Sequence, residues 1–324
     1  MAYWEHELGR DERNVSFNFK QIKLQSFSGH GAGVKSLHVL DNENSFLSGS
    51  RDKTVRLWSA RNTGDHSAEV SAQAVFTGHK RSVFYVSYLS APGHAVSCDG
   101  SIIIWDPFMM STLAEYDCGG GKLSYCAVKT VSDPGHCVVG AGTDGHLRLI
   151  DTRVRDQVTE LQVSGGAAGL VRSLAVSSDG HQVSVGHTSG YISMLDLRTG
   201  KLRTGFKAHD GEILTLTNIN NHHLVSTSLD QLVSGWRWED GRQAATLRAL
   251  PEPLHCVSSC HDEIILGSSA NRLIIQQSVE TDSPSCVHRL KSDIIRGNLT
   301  QISVLPLNKQ LLLGSDSGSI HLVC

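Results

Sequence analysis

Serine, histidine and aspartate, the residue types that together run acyl transfer, recur at matched spacings in this 324-residue chain. His30, Ser48 and Asp52 form one set, closed by Trp58; His209, Ser226 and Asp230 form another, closed by Trp236. A third set keeps His79, Asp99 and Trp105, with a one-residue deletion before the aspartate. A hydrolase needs a single nucleophile in a single cleft, with a base and an orienting acid. Here the same residues return again and again, so their expected role is structural. No catalytic residue is assigned, and the chain is read as a non-enzyme.

Other candidate chemistry is thinner. Cys256-Val-Ser-Ser-Cys260-His261 places three residues between its cysteines, one more than a haem-attachment motif has. Strand alternation puts both thiols on one face, where packing is the expected role. No metal and no cofactor is expected. Gly119-Gly120-Gly121-Lys122 lacks the first glycine of a phosphate-binding loop and the Ser/Thr after its lysine. Gly165-Gly166-Ala167-Ala168-Gly169 is similarly unspecific. The eight cysteines follow no framework and read as free thiols in a reducing, cytosolic setting. A formal net charge of -3 gives no electrostatic case for nucleic acid. The polar start is not a secretory signal. Apolar runs such as Ile102-Ile103-Ile104-Trp105 are far short of the roughly 20 residues that cross a bilayer.

The elements that must position the polar sets are short strands. Positions 58, 105, 150, 195, 236, 276 and 323 end seven similar units, spaced 47, 45, 45, 41, 40 and 47 residues apart. Alternation dominates, as in Val55-Arg56-Leu57-Trp58, and no helical period competes. Asp99-Gly100 and Asp144-Gly145 sit where a tight hairpin must reverse, with Ser189-Gly190 and Ser317-Gly318 in the same place. In the first unit Val34 to Leu40, Ser45 to Gly49 and Thr54 to Ser59 read as strands a, b and c, and Ala74 to Thr77 as an outer strand d. The last unit stops at strand c. The alternating stretch from Ser16 to Phe27 precedes the first strand a and is a spare outer strand. Docked on the last unit, it closes a ring and removes an exposed edge.

This pattern resembles the WD repeat, whose units run roughly 40–45 residues with four strands each. The resemblance makes the polar sets hydrogen-bonded tetrads. The expectation is an all-β, seven-bladed propeller over residues 15–324, with residues 1–14 a linker or cap. Units six and seven carry Ala270 and Ser317 at the aspartate position and no Gly-His. They are expected to rely on apolar packing, through Ile264–Leu266, Leu273–Ile275 and Leu311–Leu313.

Several stretches are more particular: AYWEHELGR (2–10), FLSGSRDKTVRLW (46–58), HAVSCDGSIIIWDPF (94–108) and LLLGSDSGSIHL (311–322). In these the chain resembles the C-terminal propeller of the WD repeat-containing protein 81 family, large BEACH-domain and WD-repeat proteins. The resemblance implies a cytoplasmic domain of a larger protein, peripheral on endosomes and lysosomes. It also implies a second WD-repeat endosomal protein as partner, restraint of the class III phosphatidylinositol 3-kinase complex, and a part in autophagy of aggregates. Propellers that bind phosphoinositides carry paired arginines; Ile294-Ile295-Arg296-Gly297 has one, so direct lipid binding is not supported. Arg51, Lys80, Arg81, Arg172, Glu212 and Leu229 fall on loops that converge around a propeller's channel, a candidate partner-binding face. The competing expectation is a purely architectural propeller that stabilises or oligomerises its parent.

Overall fold

A computed structural model describes residues 19–324 apart from 42, 61–68, 120–122, 132–134, 155–157, 164–168, 248–250, 261–262 and 277–285. Among these residues every regular element is a strand. Seven sheets, antiparallel but for one short edge strand, stand in a ring, and each innermost strand contacts the innermost strand of the next sheet. The chain is therefore a seven-bladed propeller. Blade one comprises Val34–Val39, Ser45–Ser50, Val55–Ser59 and Ala74–Phe76. Strand a is innermost and strand d outermost, and blades two to six repeat the order a-b-c-d. Among the described residues no helix is long and apolar enough to cross a membrane.

The buried side chains of the described residues do not form one core. They form seven clusters, each at the seam between two successive blades. Blades one and two share Leu47, Val55, Phe76, Val86 and Trp105, for example. Blades six and seven share Ile265, Leu273, Ile302 and Leu311. Both faces of a strand b are covered by neighbours, so these strands read as nearly unbroken buried runs, as in Gln182–His187.

The ring closes where the sequence places the closure. Lys23–Phe27 pairs antiparallel with Ile320–Val323, matching Phe27 to Ile320. Two details differ from the expectation. The alternation breaks at Ile22: Gln21 adopts a left-handed backbone (φ 55°), the strand proper starts at Lys23, and the Ile22 side chain is 50% exposed. Phe27 and Phe19 supply the burial instead. The closing blade also gains a fifth strand. Glu69–Val70, from the connection that follows strand c of blade one, lies parallel to Lys23–Phe27 on its outer side. Ser28 seals this join: its N–H donates to the Val70 carbonyl at 3.3 Å and its hydroxyl to Glu69 at 2.7 Å. Residues 1–14, and Ser16 and Phe17 of the alternating stretch, lie outside the described residues.

Candidate functional site

In blade one, His30 Nδ1 lies 2.8 Å from Asp52 Oδ2 and Nε2 lies 2.7 Å from Ser48 Oγ. Trp58 Nε1 donates to the same Oγ at 2.7 Å. Burial holds the His30 imidazole below its ordinary pKa, outweighing Asp52. Burial opposes ionisation of Asp52, but bonds from Thr54 and His30 outweigh it and bring that carboxyl to about 2. The pair is thus a neutral imidazole donating from Nδ1 to a carboxylate. Nε2 must then accept the Ser48 hydroxyl proton.

These distances satisfy a hydrolytic triad, and the surroundings defeat one. Ser48 is fully buried and its oxygen already accepts the indole N–H, so it is not open to a substrate. Blade five repeats the arrangement, with His209 2.9 Å from Asp230 and 2.7 Å from Ser226, and Trp236 2.7 Å from Ser226. Removing one member of such a buried chain strands the others and costs about 1–3 kcal/mol.

Blade two holds a member that the sequence pattern hid. Ser97 accepts from Trp105 Nε1 at 2.9 Å and meets His79 Nε2 at 2.6 Å. Ser48 pairs with Arg56, whereas Ser97 pairs with Ile103, so the b–c turn is two residues shorter, not one. The short turn leaves Asp99 3.4 Å from His79 Nδ1, which has no hydrogen-bond partner. Asp99 still caps the loop, accepting the Lys80 and Arg81 N–H groups at 2.9 Å each.

A fifth member was legible but unread. Phe27, Phe76 and Phe206 each precede a tetrad histidine by three residues, in FSGH, FTGH and FKAH. Each belongs to the outer strand of one blade and packs on the indole of the next. Phe27 meets Trp58 at 5.7 Å, Phe76 stacks on Trp105 at 4.3 Å, and Phe206 meets Trp236 at 4.8 Å. The tetrads therefore pin seams as well as blades.

Blades six and seven do not depend on packing alone. Asn271 of blade six donates to the Gly297 carbonyl at 2.9 Å and accepts the Leu299 N–H at 2.7 Å, crossing to blade seven. Glu252 accepts from Ser268 at 2.8 Å and lies 3.5 Å from Arg272. In blade seven Ser315, Ser317 and Ser319 bond one another, and His321 bridges Ser319 and Ser26 at 3.1 and 3.2 Å. These groups occupy positions other than the tetrad's, so a search by equivalence misses them. Blade three substitutes Arg148, 2.7 Å from Asp144 and 3.0 Å from Glu160.

Five of the six residues of the candidate face lie on loops at one end of the ring, the end where the chain enters each strand a; Arg172, expected on a loop, is instead the second residue of the blade-four strand Val171–Val176 at that end. Arg51, Lys80 and Arg81 are exposed, and Leu229 is 48% exposed. Lys80 reaches Glu115 only at 3.8 Å. Arg172 and Glu212 satisfy each other, at 2.9 Å. Cys256 and Cys260 are buried in the seam between blades six and seven. Burial pushes the Cys256 thiol well above its ordinary pKa, which makes it a packed, unreactive group. Among the described residues no three His, Cys, Asp or Glu gather as metal ligands. Gly120, Gly121 and Lys122, and residues 165–168, lie outside the described residues.

The WD domain, G-beta repeat family matches residues 21–59 and 71–106, covering the closing strand and most of blades one and two. WD repeat-containing protein 81 of Rattus norvegicus is 38% identical over all of this chain, which spans 17% of that relative's length. The Danio rerio protein of the same name is 38% identical over all of this chain, which covers 16% of it. Suppressor of organelle fusion 2 of Caenorhabditis elegans is 28% identical over 95% of the chain, which covers 22% of it. The chain spans about a sixth of the length of the mammalian and fish relatives. With its seven blades, its repeats and a match running end to end, the chain is a seven-bladed WD-repeat propeller, similar along its whole length to the WD-repeat region of WD repeat-containing protein 81.

Proposed function

We propose that the propeller is a non-enzymatic scaffold domain that holds protein partners on its strand-a entry face. One observation carries this reading. The Ser, His and Asp sets that could do chemistry are spent on buried hydrogen bonds, while Arg51, Lys80, Arg81 and Leu229 stand exposed on that face. The relatives' names, one of them a suppressor of organelle fusion, favour a setting in membrane traffic. The finer reading is a peripheral endosomal or lysosomal domain of a larger protein. Its partners there are a second WD-repeat endosomal protein and the class III phosphatidylinositol 3-kinase complex, which the larger protein restrains, with a part in aggregate autophagy.

The test is an affinity pull-down with the 324-residue chain carrying Arg51→Glu, Arg81→Glu and Leu229→Asp together. Loss of an endosomal partner with an unchanged melting temperature supports the reading. Full retention of every partner contradicts a recruiting role for this face and favours the architectural alternative.

A further inference from the structure

The ladder between strands a and b slips at the same place in six blades. Its register skips Lys35, Cys126, Arg172, Leu214, His255 and Thr300, in blades one, three, four, five, six and seven. Such a bulge leaves its residue out of the pairing and re-aims the side chain. Strand a is the innermost strand, so the re-aimed side chains collect around the axis. The charges bear this out. Lys35 of blade one feels the field of Arg172, three blades away, and His255 of blade six feels Lys35. Groups on blades so far apart reach one another's field only across the channel.

The cations at this mouth are unequally served. Arg172 has Glu212 at 2.9 Å. Asp316 also lies near Lys35, but its two oxygens already accept the Asn298 backbone N–H at 2.7 Å and side-chain amide at 3.0 Å. Among the described residues, neither Lys35 nor Arg51 has a carboxylate within ion-pair distance. Burial, and then the field of Arg51, hold the Lys35 ammonium below its ordinary pKa. A half-buried cation has given up water without gaining a counter-charge, and an incoming anion supplies it. Half-buried Leu214, one of the bulged residues, borders the mouth with apolar surface, and Leu229, whose N–H donates to the Glu212 carbonyl at 3.0 Å, is exposed on the adjoining turn.

We propose that the channel mouth takes an acidic side chain of a partner's linear segment, seated between Lys35, Arg51 and Arg172 with apolar residues flanking it. The proposal rests on the strand-a entry face being the partner surface, and it specifies the partner's chemistry. A planar anionic surface fits less well. The rim also carries Glu212, Asp210 and Asp316, and Lys35 is half-buried, so a single acidic side chain reaches the recessed cation where a flat anionic surface meets the rim carboxylates first.

The experiment is fluorescence anisotropy on the full 324-residue chain, with a labelled hexaglutamate peptide flanked by leucines and a counterpart carrying lysines. The acidic probe should bind and the basic one should not. Lys35→Met and Arg51→Gln should each weaken binding about tenfold, the scale of losing one well-placed charge pair. Lys35→Arg should restore it, and Arg203→Gln on the outer strand of blade four should change nothing. Arg51 is exposed, so its variant gives a reading even where Lys35→Met lowers stability. Equal binding of the two probes, or indifference to both Lys35→Met and Arg51→Gln, overturns the proposal. So does Lys35-dependent capture of phosphatidylserine vesicles without peptide binding. If the pull-down variants still lose their partner while the acidic probe fails, only the acidic occupant is wrong.

Discussion

Blade one and blade seven meet at one seam and solve the same mechanical problem with different chemistry. Each must fasten the turn between strands b and c to the loop that enters the blade. Blade one does so with His30, Ser48, Asp52 and Trp58, a chain that runs from the indole N–H through the serine hydroxyl and the imidazole to the carboxylate. Blade seven has Leu313 and Val323 at the serine and tryptophan positions and fastens its turn through a cluster of serines and His321. The backbone arrangement needs a satisfied polar network, and it is indifferent to which side chains supply it. A tetrad adds a large indole on which the preceding blade's phenylalanine rests, so its loss opens a seam as well as a turn.

That contrast is sharpest for the tryptophan. Trp58→Ala should cost about 3–5 kcal/mol, the range for emptying a fully buried aromatic site. Val323→Ala, at the matching position of blade seven, should cost clearly less, since it removes fewer atoms and no hydrogen bond. Thermal or urea unfolding of both variants checks this; equal losses would erase the distinction between the blades.

Acid should separate the two kinds of fastening next. His321 has its pKa lowered to about 4, first by burial and then by Lys23 and Arg296. Its folded value lies below the unfolded 6.5, so between those values the unfolded chain binds more protons. The stability it contributes is whole above about pH 6.5 and is lost as pH falls toward 4. At about 1.4 kcal/mol per pKa unit the loss is roughly 3 kcal/mol. His30 and His209 shift in the same direction, held back by their aspartates. His321→Asn should therefore flatten the pH dependence of the melting temperature between 6.5 and 4 more than His209→Asn does. The reverse order would show that tetrads, not the serine cluster, govern acid sensitivity.

Smaller effects test the members one by one. His209→Ala should cost about 1–3 kcal/mol because it strands Asp230 and Ser226. His79→Ala should fall at the lower end, since Asp99 is already 3.4 Å from its ring. Breaking the exposed Arg172–Glu212 pair with Glu212→Gln should change stability by no more than about 1 kcal/mol. A larger loss there would mean that the pair serves the fold and not the face.

The sequence made the blades legible because each repeats the same alternation and the same turn, and because histidine, aspartate and tryptophan are rare enough to count. Ring closure was legible because a strand was missing at one end and spare at the other. Ser97 was hidden by a turn two residues short, which shifts the serine out of column. The substitute networks of blades six and seven were hidden because Asn271, Glu252 and His321 sit at positions where a tetrad has nothing comparable. The parallel strand Glu69–Val70 is only two residues long and carries no alternation to read. The channel-mouth bulges are a property of pairing, and no residue type announces them.

The fifth strand bears on the order in which the molecule can be completed. The contact between Ser26 and His321 joins residues 295 positions apart, whereas Ser28 and Glu69 are 41 apart. The entropy of closing a loop grows with its length, and a chain leaving the ribosome has the shorter loop available long before the longer one. Glu69–Val70 can thus hold the N-terminal strand in place on its outer side while the other six blades are still being made. The strand then waits with one edge occupied instead of two edges bare, which shortens its exposure to other nascent chains.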